Sequence, residues 1–159
     1  MRRSALRTTV VLGSLAAVIA VGCATMETAK MTPAEAIAER QKLMKAQGAA
    51  SKSIQDKLKT GQVQAIAPDA EKLVETSKRI PALFPEGSLD PKTSRAKPEI
   101  WQKRAEFEGN AKTLESKATQ LAAASRTGNA TATKAAVDDL GKTTCVACHN
   151  AFRGPEIKK

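Results

Sequence analysis

Cys145-Val146-Ala147-Cys148-His149 is the stretch on which the reading of this 159-residue chain turns, and it holds the only histidine. Two thiols three positions apart can add across the two vinyl groups of one porphyrin, while the adjacent imidazole nitrogen takes the iron. The run reads as a covalent haem attachment site, with Cys145 and Cys148 as thioether donors and His149 as an axial ligand. Structural zinc wants four Cys or His ligands, and the only further one in the chain is Cys23. A dithiol redox pair belongs beside a βαβ pattern, and no strand pattern occurs along the sequence. Five-residue matches also arise by chance in cytosolic proteins, so the weight of this one depends on export.

The start of the sequence argues for export. Arg2, Arg3 and Arg7 precede a small or apolar run without charge over 8–22, ending in Ala20-Val21-Gly22-Cys23-Ala24, which is the layout of a secretory signal peptide. The run is short for a membrane span, and no other stretch approaches the length needed. Cys23 has two readings. It resembles the cysteine of a bacterial lipobox, which becomes a lipid anchor, although Ala20 stands where leucine is usual; ordinary cleavage near Ala24 is the other. Arg2-Arg3 reads as a basic n-region, because haem is attached to an unfolded chain after export. The expected organisation is a signal peptide over 1–22, a tether over 23–32, a helical domain over 33–153 and a tail over 154–159, located in the periplasm, soluble or lipid-anchored. One core is expected for a domain of this size.

The chain carries 26 Lys and Arg against 16 Asp and Glu, a formal net charge of +10. The lysines are spread rather than clustered, and the aromatics are only Phe84, Trp101, Phe107 and Phe152, so stacking platforms for nucleic acid are absent. A solvated basic surface favours acidic redox partners or anionic membrane. Catalysis has no basis, since the one histidine is committed and no Ser-His-Asp or Cys-His-Asn arrangement can form; the chain reads as a non-enzyme.

The rest of the sequence is helical in pattern. Thr32, Pro33 and Glu35 form a capping box that opens a first helix, predicted to run to Thr60 with Gly61 ending it. Its expected inward stripe is Ile37, Gln41, Met44, Gly48, Ser51, Ile54 and Leu58. A second helix starts at Ala67-Pro68-Asp69, turns Ala70, Leu73, Val74, Ser77 and Ile80 inward, and stops between Pro81 and Pro85. Residues 87–97 read as loop. Pro98 opens a third helix in which Ile100, Phe107, Ala111, Leu114, Ala118 and Leu121 recur at nearly seven-residue spacing, broken by Arg104, until Thr127-Gly128-Asn129. A fourth starts at Asn129 or Thr131, buries Ala136, Val137 and Leu140, and continues through the haem motif until Gly154-Pro155. The fold class is therefore all-α, an antiparallel four-helix bundle with covalently bound haem c. The inner faces are rich in alanine, so the porphyrin is expected to supply apolar mass and the apoprotein to be partly unfolded.

Four stretches then carry a resemblance: Arg40-Gln41-Lys42-Leu43-Met44-Lys45 with Gly48; Ile80-Pro81-Ala82-Leu83-Phe84-Pro85; Lys97-Pro98-Glu99-Ile100-Trp101 with Phe107; and Gly141 to Arg153. Together they resemble the class II cytochromes c, comprising cytochrome c′ and its low-spin, methionine-ligated relatives, over about Pro33 to Arg153. The resemblance implies one haem c held among the four helices, His149 as proximal ligand, Arg153 near the proximal imidazole, and Arg40 and Gln41 near the haem and its propionates. It also implies a homodimer through the first two helices. Trp101 and Phe107 read as packing rather than electron routing.

On the distal side the resemblance aligns Met44. In cytochrome c′ an apolar side chain there leaves the iron five-coordinate and open to NO or CO; in the low-spin branch a methionine coordinates it, raising the potential in a way that suits electron transfer. Methionine is also a common core filler. The Gln41-Lys42-Leu43-Met44-Lys45 string and Leu83-Phe84-Pro85 look more like the low-spin branch, so the expected function is a one-electron carrier with His149 and Met44 as axial ligands. The alternative is a five-coordinate cytochrome c′ that binds NO or CO. A third class is a haem-free helical lipoprotein using the last helix for zinc or a partner.

Overall fold

The computed structural model of the protein describes residues 31–157. The expected signal peptide over 1–22, most of the expected tether over 23–32, including Cys23 as the expected lipid-anchor site, and the last two residues of the expected tail lie outside the described residues. Six α-helical segments make four rods: α1 (Pro33–Lys59), α2 (Ala67–Arg79), α3 (Glu99–Gln102) with α4 (Arg104–Arg126), and α5 (Ala130–Leu140) followed by a π-helical turn (Gly141–Val146) and α6 (Ala147–Phe152). The only β pairing among the described residues is a single bridge between Ala96 and Arg153.

The helix ends follow local chemistry. The Thr32 hydroxyl accepts the Glu35 amide at 3.3 Å while the Glu35 carboxylate accepts the Thr32 amide at 2.8 Å, the reciprocal capping box. α1 stops at Thr60, and Gly61 takes φ +71°, where a side chain would be strained. Asn129 caps α5 by accepting the Ala132 amide at 2.9 Å.

α4 is the centre of the bundle. Phe107, Ala111, Leu114, Ala118 and Leu121 are buried along it, as the heptad spacing predicts, with Ala122 and Ser125 added. α2 packs most extensively on α4 through Ala70 and Leu73, and α5 packs on its other flank through Val137 and Leu140. Two departures from the sequence reading are local. The third helix is not continuous, because Lys103 (φ −117°, ψ 47°) breaks it, and the Arg104 guanidinium beside the break donates to Pro81 O and Phe84 O, both at 2.8 Å. The fourth helix carries one wide π turn just where the haem motif begins.

The third departure positions the site. The buried face of α1 is Ala36, Ile37, Arg40, Leu43, Ala50 and Ile54, rotated from the expected stripe. Gln41 and Gly48 are exposed, and Met44 and Ser51 are half-buried. The reason lies in the packing: α1 leans on α2 and touches α5, but makes no close backbone approach to α4, the π turn or α6. The Gln41–Met44–Gly48–Ser51 stripe faces that gap rather than a neighbouring helix.

Candidate haem centre

Two adjoining cavities fill the gap. The larger, about 540 Å³, is bordered by Arg40, Gln41, Met44 and Lys45 from α1, by 93–96 of the loop, and by Cys148, His149, Phe152 and Arg153. The smaller, about 350 Å³, runs between Met44, Gly48 and Ser51 on one side and Cys145, Cys148 and His149 on the other, floored by Ile80, Ala111 and Leu114. Met44, Phe107, Cys148, His149 and Arg153 border both. Volumes of this order are those of ligand sites.

The last helix delivers the motif. Thr144 is buried and its hydroxyl donates to Leu140 O at 2.5 Å, occupying a carbonyl in the turn where the ladder widens. The same oxygen lies 3.6 Å from Cys145 Sγ. Cys145 and Cys148 are half-buried free thiols on the cavity side. Burial, with Cys145 beside it, pushes the Cys148 thiol up to about 11. His149 is half-buried, and burial, then Arg153 and Arg95, push its imidazole below the usual value, which favours the neutral form that a metal requires. Among the described residues no group of three or more His, Cys, Asp or Glu could hold a metal ion by itself.

Arg40 is 3% exposed. It donates to Ser88 Oγ at 2.9 Å, Ser88 O at 2.7 Å and Ser94 Oγ at 2.6 Å, with Leu83 O at 3.5 Å. All four acceptors are neutral, and burial lowers the affinity of the guanidinium for its proton. Gln41, on the rim, donates to Thr93 O at 2.7 Å. Arg153 is exposed, one turn beyond His149, and its amide donates to His149 O at 3.1 Å. The cations at the larger cavity are Arg40, Lys45, Arg95 and Arg153, against one carboxylate, Glu156. An apolar wall stands behind them: Phe107 meets Phe84 at 4.9 Å and Phe152 at 5.4 Å edge-on, while Trp101 is tilted against Phe84 at 6.4 Å and donates to Pro85 O, which is packing as expected.

The donor set fits a covalently held porphyrin. Two thiols and one imidazole from a single helix border the same space, the floor is apolar, and the far mouth carries the positive charge that carboxylate-bearing substituents need. Cys145 and Cys148 would hold the group by thioether bonds, and His149 would supply a nitrogen ligand to its iron. All seven predicted site residues border one or both cavities. The sequence reading missed Arg95, Ser94 and the tail residues Glu156 and Ile157, which the loop and tail bring to the larger cavity. Their contacts span more than fifty residues, so no periodicity marks them.

The chain is similar to several known proteins. Cytochrome c′ of Rhodospirillum rubrum is 34% identical over 87 residues, 55% of this chain; the chain spans 58% of that relative's length. The crystal structure of Thermochromatium tepidum cytochrome c′ is 30% identical, with a TM-score of 0.69 over 80% of this chain and all of that one. Two mutants of Alcaligenes xylosoxidans cytochrome c prime are each 27% identical over 98% of their length. One, a nitric oxide complex, covers 79% of this chain at TM-score 0.69; the other, with carbon monoxide bound, covers 78% at 0.68. A further cytochrome c′ with ligand-controlled dimer dissociation is 26% identical, at TM-score 0.71 over 78% of this chain and 98% of its own.

These relatives correct the expected function. The likeness is to cytochromes c′, two of them with NO or CO bound, and not to a methionine-ligated electron carrier. Met44 borders both cavities and also packs against the hydrophobic core as a partly buried side chain. With residues 35–153 matching the family described as Cytochrome C′, and the thiols, imidazole and apolar gap in place to receive the group, the chain belongs to the cytochrome c′ family, whose members carry one covalently bound haem c.

Proposed function

We propose that the protein is a five-coordinate cytochrome c′ that binds NO or CO, with His149 as the single protein ligand to the iron and Cys145 and Cys148 as the thioether attachments. The haem, when bound, supplies an iron able to take up a diatomic gas. The chain supplies the rest. His149 presents a neutral nitrogen from a short helix anchored on Phe152, while Ile80, Phe107, Ala111 and Leu114 exclude water. Arg40 and Gln41 would meet the propionates, and Arg153 would lie near the His149 imidazole. Met44, which borders the smaller cavity with His149, would supply a flexible apolar side chain that yields to a small ligand.

What supports this reading is the likeness to cytochromes c′, two of them with NO or CO bound, together with a single imidazole bordering a largely apolar space. The test is an ultraviolet-visible spectrum of oxidised, reduced and CO-treated protein. A high-spin spectrum at neutral pH and CO uptake by the ferrous form are expected. A low-spin ferric spectrum with the weak far-red band of methionine ligation, and no CO uptake, would overturn it.

Binding rather than catalysis, export to the periplasm, a lipid anchor at Cys23 and acidic protein partners belong with this proposal as readings of the sequence. A homodimer is supported by the cytochrome c′ with ligand-controlled dimer dissociation, its placement through α1 and α2 being a reading of the sequence, and sedimentation with and without CO tests the dimer.

A further inference from the structure

The last helix ends in an arrangement that the haem motif does not require. Beyond α6 the chain runs back along the loop, and Ala96 and Arg153 form an antiparallel bridge. The Lys97 amide donates to Phe152 O at 3.1 Å and the Gly154 amide to Arg95 O at 2.7 Å. The Lys97 ammonium reaches Ala151 O at 2.8 Å, so the loop caps the final carbonyls of the helix that carries Cys148 and His149.

Arg95 tightens this bridge from the side. Its Nε donates to Gly154 O at 3.0 Å and to Pro155 O at 2.9 Å, and its Nη1 lies 3.8 Å from the Glu156 carboxylate. Held in this way, Glu156 and Ile157 border the larger cavity together with His149 and Met44. Ile157 is 39% exposed, an apolar side chain laid against the rim. The close approach also explains the glycine: a Cβ at residue 154 would sit 3.3 Å from Arg95 O, nearer than side chains ordinarily come to a carbonyl.

We propose that Arg95 is a positioning residue that latches Gly154–Ile157 across the mouth of the cavity, and that the latched tail restricts entry of water and small ligands on that side. The proposal rests on the gas-binding reading for its physiological meaning, but not for its geometry. A latch made of two hydrogen bonds to carbonyls, one bridge and one exposed ion pair is weak enough to open and strong enough to bias the rim towards closure.

Two variants break the latch by different routes. Arg95→Leu removes the donors and the charge; Gly154→Val keeps the charge and crowds Arg95 O, pushing the two strands of the bridge apart by a few tenths of an ångström or more. Arg95→Lys retains a donor and should restore most of the closure. In haem-loaded protein, hydrogen exchange at the residue-154 amide, which donates to the backbone oxygen of residue 95, should accelerate about tenfold or more in both disruptive variants, because the weakened bridge opens more often. Access is read twice, as CO association with the ferrous protein and as water-proton relaxation by the ferric iron. Both should rise by about threefold or more in Arg95→Leu, in Gly154→Val and in a chain ending at Gly154, as expected when a lid is removed.

Unchanged exchange would overturn the latch. Faster exchange with both access measures unchanged would overturn the restriction, as would a change in Arg95→Leu alone, which would assign the effect to charge. If the unaltered protein takes up no CO, the gas-binding reading fails while exchange and water relaxation still decide the latch.

Discussion

The guanidinium carbon of Arg40 lies 4.6 Å over the ring centroid of Phe84, and the two side chains close the α1 end of the larger cavity together. A buried cation that is satisfied by serine and carbonyl oxygens and stacked on an aromatic face does two jobs. It ties the loop holding Ser88 and Ser94 to α1, and it leaves positive charge facing the cavity without a carboxylate to neutralise it.

Arg40→Ala should destabilise the haem-loaded protein by about 2–4 kcal/mol, because it removes the stacked side chain and strands the Ser88 and Ser94 acceptors. Arg40→Lys should recover less than half of that, since an ammonium cannot serve three oxygens in the plane of a fork. Urea unfolding at neutral pH measures both; equal midpoints for Arg40→Ala and the unaltered protein would contradict the network.

Met44→Ala should leave the resting ferric spectrum nearly unchanged while speeding CO association with the ferrous form. An apolar cover is removed, but no ligand is lost. A large shift of the Soret band in the resting variant would show instead that the sulfur holds the iron.

Replacing both Cys145 and Cys148 by serine should abolish haem that survives denaturation on a gel; each single replacement should leave one attachment. The double variant should also melt well below the haem-loaded protein and bind a hydrophobic dye. The cavities would then have to fill with water or collapse, and the fold loses the free energy of holding its cofactor. Coincident melting curves would show that the bundle needs no porphyrin.

Thr32→Ala should cost about 1 kcal/mol through loss of the α1 cap. The partner carboxylate adds a pH dependence. Hydrogen bonds from the Thr32 amide and then its hydroxyl hold Glu35 below its ordinary 4.5. A depressed folded value means that the contribution is complete above about pH 4.5 and fades as the pH falls through the lower folded value. The stability gap between unaltered protein and Glu35→Gln should therefore shrink on acidification below pH 4.5, as followed by urea unfolding at stepped pH.

Much of the bundle is legible in the chain because its signals are local. Thr32-Pro33-Ala34-Glu35 carries its cap within one turn, and Phe107 to Leu121 carries its buried face within one helix. The haem motif is legible for the same reason, since three functional side chains sit inside five residues. What escapes is non-local. The face of α1 is rotated because Met44, Gly48 and Ser51 border a gap instead of a helix, and a pattern of apolar spacing does not distinguish a wall of a cavity from a wall of a core. Arg95 and Ser94 look like loop punctuation until the fold brings them to Gly154 and Arg40. The identity of the residue at position 44 likewise does not reveal whether its sulfur binds metal or packs.

The π turn over Gly141–Val146 has one more consequence. A wide turn inserts about one residue, or roughly 100° of rotation, into an otherwise α-helical rod. The last rod therefore has two rotational frames: Val137 and Leu140 are set by α5 to face α4, while Cys148, His149 and Phe152 are set by α6 to face the gap and the loop. Substitutions on the buried face of α5 therefore act first on the α4 interface, and substitutions at 148, 149 and 152 act first on the cavity and on Phe107, so one rod carries two separately readable faces.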